Sequence, residues 1–472
     1  MSNKMASSIL ALLFILGLSV SFNSHASFEQ AMAIYSKGQF EEAREAFKTM
    51  AAIGDSSSLF NLGVMYFRGE AVEKDSVKAY VLMKIANEGA QDEGLAKTEK
   101  AVFSRLSDEQ KSASEKLYKE LNAIYGVENI IGNIVPKLLN DEDCEPEAKA
   151  LTRTIPIYPK SELQMGRMGV VYAEHTISPE GYPREIIVIS SSSRAFTKSA
   201  RKAVLGRFYE PPASGKPKEH RLNLIYQIDL KKGATVRTAP FVKEMEELEQ
   251  KAQDGDVVSQ FLYARKLNTY RQFGEYLPEK DFQYREANTW YTKSAQAGLT
   301  HSQFEIGRNM MEGRGCEVDR ENGFKWIKAA AVGGHSRAQK YLASTELAGR
   351  AVAGDETQSV VNWLRNAAQD QAYGYPAKLM LAWELVSSAE KNLWNPDEAL
   401  ALIKDPPNTF EDDIRILETQ AAAWALKDNY KKAVKLQLKA AKLAEKQGWK
   451  IPKIDERLKL YEDSKFYLGS YY

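Results

Sequence analysis

The sequence predicts a multidomain protein in which all-α helical-repeat solenoid segments flank a small α+β domain of order β-β-α-β. Three observations favour this fold class. A pattern of glycines and small residues occurs twice at one fixed separation, and tryptophans return at intervals of 36 and 37 residues. Helical periodicity then stops between Leu151 and Lys232, where β-branched residues dominate. A chain of 472 residues has room for several such domains.

The N-terminus has the features of a secretory signal. An apolar run over residues 9–20 follows Lys4 and precedes an A-x-A-like site formed by Ser24 and Ala26. A membrane-spanning helix needs roughly 20 apolar residues, and this run is shorter. We therefore expect residues 1–26 to be cleaved and the mature chain to be soluble in the periplasm. The alternative is an uncleaved inner-membrane anchor with the rest of the chain facing the periplasm.

Composition argues against some classes of protein. Lysine and arginine number 64 and aspartate and glutamate 63, so a general nucleic-acid binder is not expected. Cys144 and Cys316 form no CxxC motif, so neither a zinc site nor a redox motif is indicated. In an oxidising compartment the two cysteines either form one disulfide or remain thiols, and their spacing does not decide between these alternatives.

The same pattern of residues appears at 60–90 and again at 304–334. The matching residues are each separated by 244 positions: Gly63 with Gly307, Gly69 with Gly313, Asp75 with Asp319, Ala86 with Ala330, and Gly89 with Gly333. We expect the glycines to end helices in the left-handed conformation that a C-cap requires. The shared register indicates two copies of one helix pair.

Tryptophans extend the repeat beyond its second copy. Trp290, Trp326 and Trp363 are each followed by a pair of small residues, namely Ser294-Ala295, Ala330-Ala331 and Ala367-Ala368. We expect each tryptophan to fill the gap between stacked hairpins, and each small pair to let the next backbone approach closely. A fixed period in this range indicates a solenoid, because one hairpin cannot bury its apolar face alone.

These units resemble Sel1-like repeats, a subtype of the tetratricopeptide class, over roughly residues 55–95 and 245–375. Residues 28–55 and 416–448 resemble ordinary tetratricopeptide units, with polar turns at Lys37-Gly38 and Lys427-Asp428 between two amphipathic helices. The resemblance implies protein–protein scaffolding on a concave surface.

The middle of the chain has the pattern of a small mixed domain. Met168–Ile177 and Arg184–Ser192 read as strands joined by the turn Ser178–Pro183. Ser193–Phe208 has the apolar spacing of a helix, and Arg221–Leu230 alternates as a third strand. We expect Leu222, Leu224, Tyr226 and Ile228 of that strand to share one side.

This segment, about residues 153–232, resembles the C-terminal domain of TonB. The matching residues are Tyr158-Pro159, Gly169, the Pro179-Glu180-Gly181 turn and Tyr209-Glu210-Pro211. The resemblance implies a periplasmic domain that grips a short segment of an outer-membrane transporter by adding it beside the last strand.

Residues for peptide binding follow from the same resemblance. They are Tyr158, Pro159, Arg221, Asn223, Ile225 and Gln227. We interpret Tyr209 as a residue that packs the sheet. The chain departs from an energy transducer in two respects, since it has no long proline-rich spacer and its mixed domain lies between helical repeats.

The expected domain organisation has six parts. They are a signal peptide (1–26), N-terminal repeats (27–130), a linker (131–152), a TonB C-terminal-like domain (153–232), Sel1-like repeats (240–375) and C-terminal helical, tetratricopeptide-like repeats (376–472).

A row of lysines marks the last repeat. Lys435, Lys439, Lys442 and Lys446 recur once per turn and share one face. This face either meets an anionic envelope surface or is simply solvated.

Motifs for catalysis are not found. His175, His220, His301 and His335 lack the spacing of a zinc-protease motif, and no phosphate-binding loop or nucleophile elbow occurs. The sequence therefore predicts no cofactor, no metal and no enzymatic activity.

Together these features predict an exported adaptor that binds protein partners. We expect the mixed domain to engage an extended peptide of an envelope protein, such as an outer-membrane TonB-dependent transporter, and the solenoid to recruit a second protein. The alternatives are a membrane-anchored energy transducer and a cell-wall-binding protein in which the sheet is a spacer.

Overall fold

A computed structural model of the protein describes residues 26–140, 148–165, 169–226, 239–270, 283–349, 355–407, 410 and 412–472. The first helices are α1 (Ala26–Ser36), α2 (Phe40–Ala51), α3 (Ser56–Arg68), α4 (Ser76–Ala90), α5 (Glu93–Phe103), α6 (Asp108–Tyr125) and α7 (Val127–Ile134). A mixed segment follows, with β1 (Ala150–Thr152), α8 (Lys160–Gln164), β2 (Gly169–Ile177), β3 (Pro183–Ser191), α9 (Arg194–Leu205), β4 (Phe208–Tyr209) and β5 (Lys218–Tyr226).

Helices occupy most of the remaining chain. They are α10 (Ala239–Gln253), α11 (Val257–Tyr270), α12 (Tyr284–Gln296), α13 (Thr300–Glu312), α14 (Arg320–Val332), α15 (Ser336–Gly349), α16 (Asp355–Ala367), α17 (Tyr375–Ser387), α18 (Pro396–Leu402), α19 (Ile414–Leu426), α20 (Tyr430–Lys446) and α21 (Pro452–Glu462). A short 3₁₀ turn (Lys391–Leu393) precedes α18.

The chain divides into two compact units, each assembled from separate stretches of sequence. Within the described residues, the first unit holds α1–α7 and α10–α14. The second holds the mixed segment together with α16–α21, and the boundary between residues 338 and 339 falls inside α15. The mixed segment and the C-terminal helices therefore form one compact body.

In the first unit, the two copies of the repeat have the same local structure. Gly69 (φ 74°) and Gly313 (φ 67°) end α3 and α13 in the left-handed conformation, as predicted. The side chains of Asp75 and Asp319 accept hydrogen bonds from the backbone N–H three residues on, and so cap α4 and α14. Gly89 and Gly333 depart from the prediction. Gly89 lies inside α4, which continues to Ala90, and Gly333 follows α14 with a φ of −71°, outside the left-handed region.

Glycine lets the two helices of each copy approach closely. A Cβ atom added at Gly63 would lie 2.9 Å from the Ala79 carbonyl oxygen, and one at Gly307 would lie 2.7 Å from the Gly323 carbonyl oxygen. Residues 79 and 323 are again 244 positions apart. The two copies of the repeat therefore share the same close contact between their two helices.

The small pairs after the tryptophans are all buried, as predicted. The tryptophans themselves differ from the prediction. Trp326 is fully buried and its indole N–H donates to the Ile134 carbonyl oxygen at 3.1 Å. Trp290 and Trp363 are only half-buried: the ring of Trp290 lies 5.7 Å from that of Tyr263, and Trp363 packs against the core of the C-terminal helices.

In the second unit, two small sheets form around α9. A three-stranded antiparallel sheet has the order β3-β2-β5, and β1 pairs with β4. The predicted helix Ser193–Phe208 is shorter than expected. Ser193 is its N-cap, and it ends at Leu205 because Phe208 and Tyr209 turn away to pair with β1. The last strand begins earlier than predicted, at Lys218, and residues 227–230 lie outside the described part of the chain.

Candidate peptide-binding edge

The hairpin of β2 and β3 forms the base of the sheet, with the predicted turn between them. Ser178 N–H donates to the Tyr182 carbonyl oxygen at 2.9 Å, and Gly181 has a φ of 91°. A Cβ atom on Gly181 would lie 2.3 Å from the Tyr209 carbonyl oxygen. The turn therefore needs glycine both for its backbone conformation and for the close passage of β4.

Helix α9 covers one face of the sheet. Its residues Phe196, Ala200 and Val204 pack against apolar side chains of the three strands, namely Val171, Ile186, Leu222, Leu224 and Tyr226. The predicted one-sided placement of Leu222, Leu224 and Tyr226 is therefore confirmed, while Ile228 lies outside the described residues. This face is a closed core, so it offers no surface to a partner.

The hydrogen bonds between β2 and β3 show which way the backbone N–H and C=O groups of β2 point. Ser192 N–H donates to the Val170 carbonyl oxygen at 3.1 Å, and Val170 N–H donates to Ser192 Oγ at 2.9 Å. The polar backbone groups of Val170 thus point toward β3. Because this direction alternates along a strand, those of Val171 point toward β5, where Val171 lies opposite Leu224.

The alternation decides which residues of β5 face outward. Leu224 directs its N–H and C=O toward β2, so Asn223 and Ile225 direct theirs away from the sheet. Arg221 has the same backbone direction, but its side chain is only 1 % exposed and lies in the interior. Gln227 is outside the described residues. Of the sequence-predicted binding residues on this strand, Arg221, Asn223 and Ile225 therefore direct their backbone N–H and C=O groups to the same side, away from β2.

Tyr158 and Pro159 lie beside the same edge. The Tyr158 ring packs edge-on against Phe196 at 5.6 Å and against Tyr226 at 5.8 Å, measured between ring centroids. Pro159 precedes α8 at its N-cap. Tyr158 thus connects the segment before α8 to the end of β5, and its burial raises the pKa of its phenol.

Exposed apolar side chains accompany Tyr158, and sequence reasoning missed them. Ile155 is 83 % exposed and Ile157 is 71 % exposed. Thr154 Oγ1 donates to the Gly206 carbonyl oxygen at 2.8 Å, and Ser199 Oγ donates to the Ile157 carbonyl oxygen. The segment therefore runs along α9 and turns both isoleucines outward. Their alternation in the sequence before Tyr158 was the available signal.

The opposite edge of the sheet is covered by the C-terminal helices. Tyr373 Oη donates to the Ile189 carbonyl oxygen on β3 at 3.1 Å. Glu185 of β3 pairs with Arg415 at 2.7 Å and with Lys340 at 3.1 Å, and Tyr472 Oη donates to Glu185 at 2.9 Å. In the described part of the sheet, β3 is therefore the edge strand held by these helices, and β5 is the other edge strand.

The charges around Glu185 form a buried network that sequence reasoning missed. Burial alone would raise the pKa of Glu185, but the cations of Arg415 and Lys340 lower it to about 2. Lys340 also pairs with Glu219 of β5 at 3.1 Å, and its pKa is raised by these two carboxylates against the effect of burial. The network fixes β3 and the start of β5 to the helices.

The two cysteines are only partly described. Cys316 is buried, and its Sγ lies 3.8 Å from the Arg314 carbonyl oxygen. Leu138 forms an antiparallel bridge with Cys316, and Leu139 N–H donates to the Gly315 carbonyl oxygen at 3.1 Å. Cys144 lies outside the described residues, so the disulfide stays a prediction.

Comparisons with known proteins agree with the two resemblances stated from the sequence. Residues 155–228 match the family described as Gram-negative bacterial TonB protein C-terminal. Residues 56–89, 257–299 and 300–335 match the Sel1 repeat. Both are families of binding or adaptor domains, so the chain combines an envelope-associated domain type with protein-interaction repeats.

Three solved structures are similar to parts of the chain. The Sel1 repeat protein from Oxalobacter formigenes is 28% identical, over 29% of this chain and 97% of that chain, with a TM-score of 0.24. The protective antigen c5321 of uropathogenic Escherichia coli strains, which displays an SLR fold, is 18% identical over 90% of this chain and 76% of that chain, with a TM-score of 0.36. Yeast Tom70 is 13% identical over 89% of this chain and 76% of that chain, with a TM-score of 0.27. The family matches, rather than these structures, identify the two domain types.

Among the helices that the structure describes, none combines the length and the apolar character needed to cross a membrane.

Proposed function

We propose that the protein is an exported, non-enzymatic adaptor that binds an extended peptide along β5 and a second protein on its helical repeats. The peptide would come from an envelope protein, such as an outer-membrane TonB-dependent transporter. The observation that carries this proposal is the outward direction of the Asn223 and Ile225 backbone groups. Ile155 and Ile157 support it, because they are exposed on the segment whose Tyr158 ring contacts Tyr226 at the end of β5.

Strand addition would form only a few backbone hydrogen bonds here. Asn223 and Ile225 present two N–H and two C=O groups, each worth about 0.5–1.5 kcal/mol net when paired. Association itself costs at least about 4 kcal/mol. Side-chain contacts must therefore supply the remaining affinity, and covering one exposed isoleucine contributes roughly 1.5–3 kcal/mol. We expect peptides with apolar side chains facing Ile155 and Ile157 to bind best, with modest affinity.

The test removes one edge donor while keeping the strand. Asn223→Pro deletes an outward N–H, whereas Asn223→Ala keeps it and removes only the side chain. Fluorescent ten-residue peptides from the periplasmic N-terminal segments of outer-membrane transporters would be titrated by anisotropy. We expect at least a tenfold loss for Asn223→Pro and less than a threefold change for Asn223→Ala. Equal binding by both variants, with unchanged thermal unfolding, would exclude strand addition at β5.

A second substitution separates the apolar contribution from the backbone contribution. Ile157→Ser leaves the backbone of the segment intact and removes exposed apolar surface. We expect it to weaken the apolar peptides by about tenfold, equivalent to about 1.4 kcal/mol. Leu163→Ser is a matched control, since Leu163 is also an exposed apolar residue of this segment but lies in α8 beyond Tyr158.

The two rival functions predict different results. A membrane-anchored energy transducer would fractionate with the inner membrane as a full-length species that keeps residues 1–26. A cell-wall-binding protein would bind purified peptidoglycan and lose that binding when residues 416–472 are removed. A soluble periplasmic species that binds peptide and not peptidoglycan supports the adaptor.

A further inference from the structure

Helix α20 differs in charge from the protein as a whole. The chain is almost neutral, with 64 basic and 63 acidic residues. Helix α20 contains six lysines and a single acidic residue, Glu445, within 17 residues. The lysines are Lys431, Lys432, Lys435, Lys439, Lys442 and Lys446.

The structure separates this helix into two faces. Its inner face is formed by small or polar residues that are buried, namely Ala433, Gln437, Ala440 and Ala444. All six lysines are exposed on the other side, and Lys450 after the helix is exposed as well. Lys435 and Lys446 are eleven residues apart, so the row spans roughly 16 Å at 1.5 Å per residue. We call Lys435, Lys439, Lys442 and Lys446 the lysine row.

The lysine row has little acidic charge beside it, since Glu445 is the single acidic residue of the helix. In the described part of the chain, none of its four members forms an ion pair, whereas the partly exposed Lys84 and Lys325 each pair with a glutamate four residues away. Like charges at positions i and i+4 destabilise a helix, and the row contains two such pairs: Lys435 with Lys439, and Lys442 with Lys446. This arrangement works against the stability of α20, so a role outside the folding of the helix is indicated.

We propose that the lysine row is a docking surface for an anionic lipid bilayer, a function separate from peptide binding at β5. A membrane surface is extended, so it can meet all four ammonium groups at once. Juxtaposed lysines add their attraction to an anionic leaflet. The chain as a whole is almost neutral, so a general positive charge of the protein would not supply this attraction.

An exposed apolar side chain beside the lysine row indicates a bilayer as the binding partner and not a soluble polyanion. Leu438 is 42 % exposed and lies one residue before Lys439 and four before Lys442. An exposed leucine among lysines can enter the boundary between headgroups and acyl chains, which is the arrangement of helices that lie on membranes. A dissolved acidic polymer offers no such apolar layer, so Leu438 should matter only for binding to vesicles.

The test compares two sets of four substitutions in the full mature chain. One variant carries Lys435→Gln, Lys439→Gln, Lys442→Gln and Lys446→Gln. The matched control carries Lys97→Gln, Lys100→Gln, Lys116→Gln and Lys119→Gln, which remove the same charge from exposed positions on α5 and α6. Binding is measured by co-sedimentation with vesicles of phosphatidylcholine alone and with 30% phosphatidylglycerol.

We expect the unchanged protein and the control to sediment with the anionic vesicles and not with the neutral ones. The row variant should bind at least tenfold more weakly, and raising the salt from 50 to 500 mM should release the unchanged protein. Leu438→Ser should weaken vesicle binding severalfold and leave binding to soluble polyglutamate unchanged.

Other outcomes would overturn the proposal. Equal binding by the row variant and the control would show that the row is not the docking surface. Binding to polyglutamate without binding to anionic vesicles would assign the row to an acidic partner instead. Absence of any anionic binding would leave the row as a solvated face. Thermal unfolding of the row variant checks that it is folded. Removing the repulsion between the lysines should leave its thermal stability equal to that of the unchanged protein or higher.

Discussion

At the scale of single residues, His175 is the clearest case of a side chain held in one protonation state. It is 2 % exposed, and within the described residues neither ring nitrogen has a hydrogen-bond partner. Its ring lies 5.2 Å from the ring of His220, its opposite residue on β5. Burial, His220 and the nearby Arg207 all lower the pKa of His175.

We expect this histidine to make the protein less stable in acid. Its pKa is lower in the folded state than the value of about 6.5 in the unfolded chain. The contribution of His175 to the free energy of unfolding is therefore highest above about pH 6.5. Below that pH it falls by about 1.4 kcal/mol per pH unit, because the unfolded chain binds a proton at this histidine and the folded protein does not. His175→Phe keeps the ring and removes the titration.

The measurement is urea unfolding at pH 7.5 and at pH 5.5. His175→Phe should gain about 1 kcal/mol relative to the unchanged protein on going from the higher to the lower pH. Glu384, whose pKa is about 7, also titrates in this window, but it does so in both proteins and its effect cancels in the comparison. An identical pH dependence in both proteins would contradict the assignment.

Glu384 on α17 predicts the opposite dependence on pH. Burial among apolar side chains raises the pKa of this carboxyl group to about 7. Because the folded state prefers the protonated acid, stability falls as the pH rises from about 4.5 through 7. Glu384→Gln should therefore stabilise the protein by about 1–3 kcal/mol at pH 8. At pH 4.5 the variant should match the unchanged protein, and a similar gain at both values would show that charge is not the cause.

At the scale of helices and strands, the repeat has glycines at the positions where its helices approach most closely. Gly63 and Gly307 lie where the two helices of a copy touch through their backbones. The helix termini are defined by Gly69 and Gly313 and by the caps Asp75 and Asp319. All these residues act within about one helical pair, which is why a single sequence could reveal them.

Gly307→Ala tests this contact directly. A methyl group there would lie 2.7 Å from both the Gly323 carbonyl oxygen and Ile327. We expect a loss of about 1–3 kcal/mol, because the helices must separate to admit it. Thermal and urea unfolding would measure the change.

The control for that substitution is Gly132→Ala. Gly132 lies in α7, is exposed, and has open space where a Cβ atom would be placed. Alanine should stabilise this helix by up to about 1 kcal/mol through its higher helix propensity. Destabilisation of equal size at both positions would mean that crowding between helices is not the reason.

At the scale of the whole molecule, the second unit depends on ion pairs between distant parts of the chain. Glu418 on α19 is buried and pairs with Arg457 of α21 at 2.7 Å and with Arg184 of β3 at 3.9 Å. Arg457 also donates to the Tyr471 carbonyl oxygen at 2.6 Å, and Tyr471 Oη donates to Glu418. The sheet and the helices should therefore unfold together.

Arg457→Met tests this cooperativity. It leaves the Glu418 carboxylate buried with the more distant cation of Arg184 and the Tyr471 hydroxyl, so we expect a loss of about 3–5 kcal/mol. Adding Glu418→Gln removes the isolated charge and should recover part of that loss. Hydrogen exchange of β3 should accelerate in the single variant, although residue 457 is far from β3 in sequence. Unchanged protection of β3 would show that the sheet and the helices are energetically separate.

The sequence predicted some elements of the fold correctly and others incorrectly. The repeat copies, the hairpin and the apolar side of β5 were predicted, since each depends on a local periodicity. The predicted end of α9 was wrong, because Phe208 and Tyr209 pair with β1 as strand β4 and do not continue the helix. Ile155 and Ile157 were missed as exposed residues, since an isoleucine in an extended segment is usually interior.

The sequence by itself determined the two domain types, the helix ends at Gly69 and Gly313, and the presence of the hairpin and of the third strand. Only the tertiary structure decided that the sheet joins the C-terminal helices in one compact unit, and that Glu185 and Glu418 are buried among cations. Local patterns report on neighbours within a turn or a strand, and a charged residue in such a pattern is normally solvated. The partners of these carboxylates come from stretches tens to hundreds of residues away, so only the folded chain brings them together.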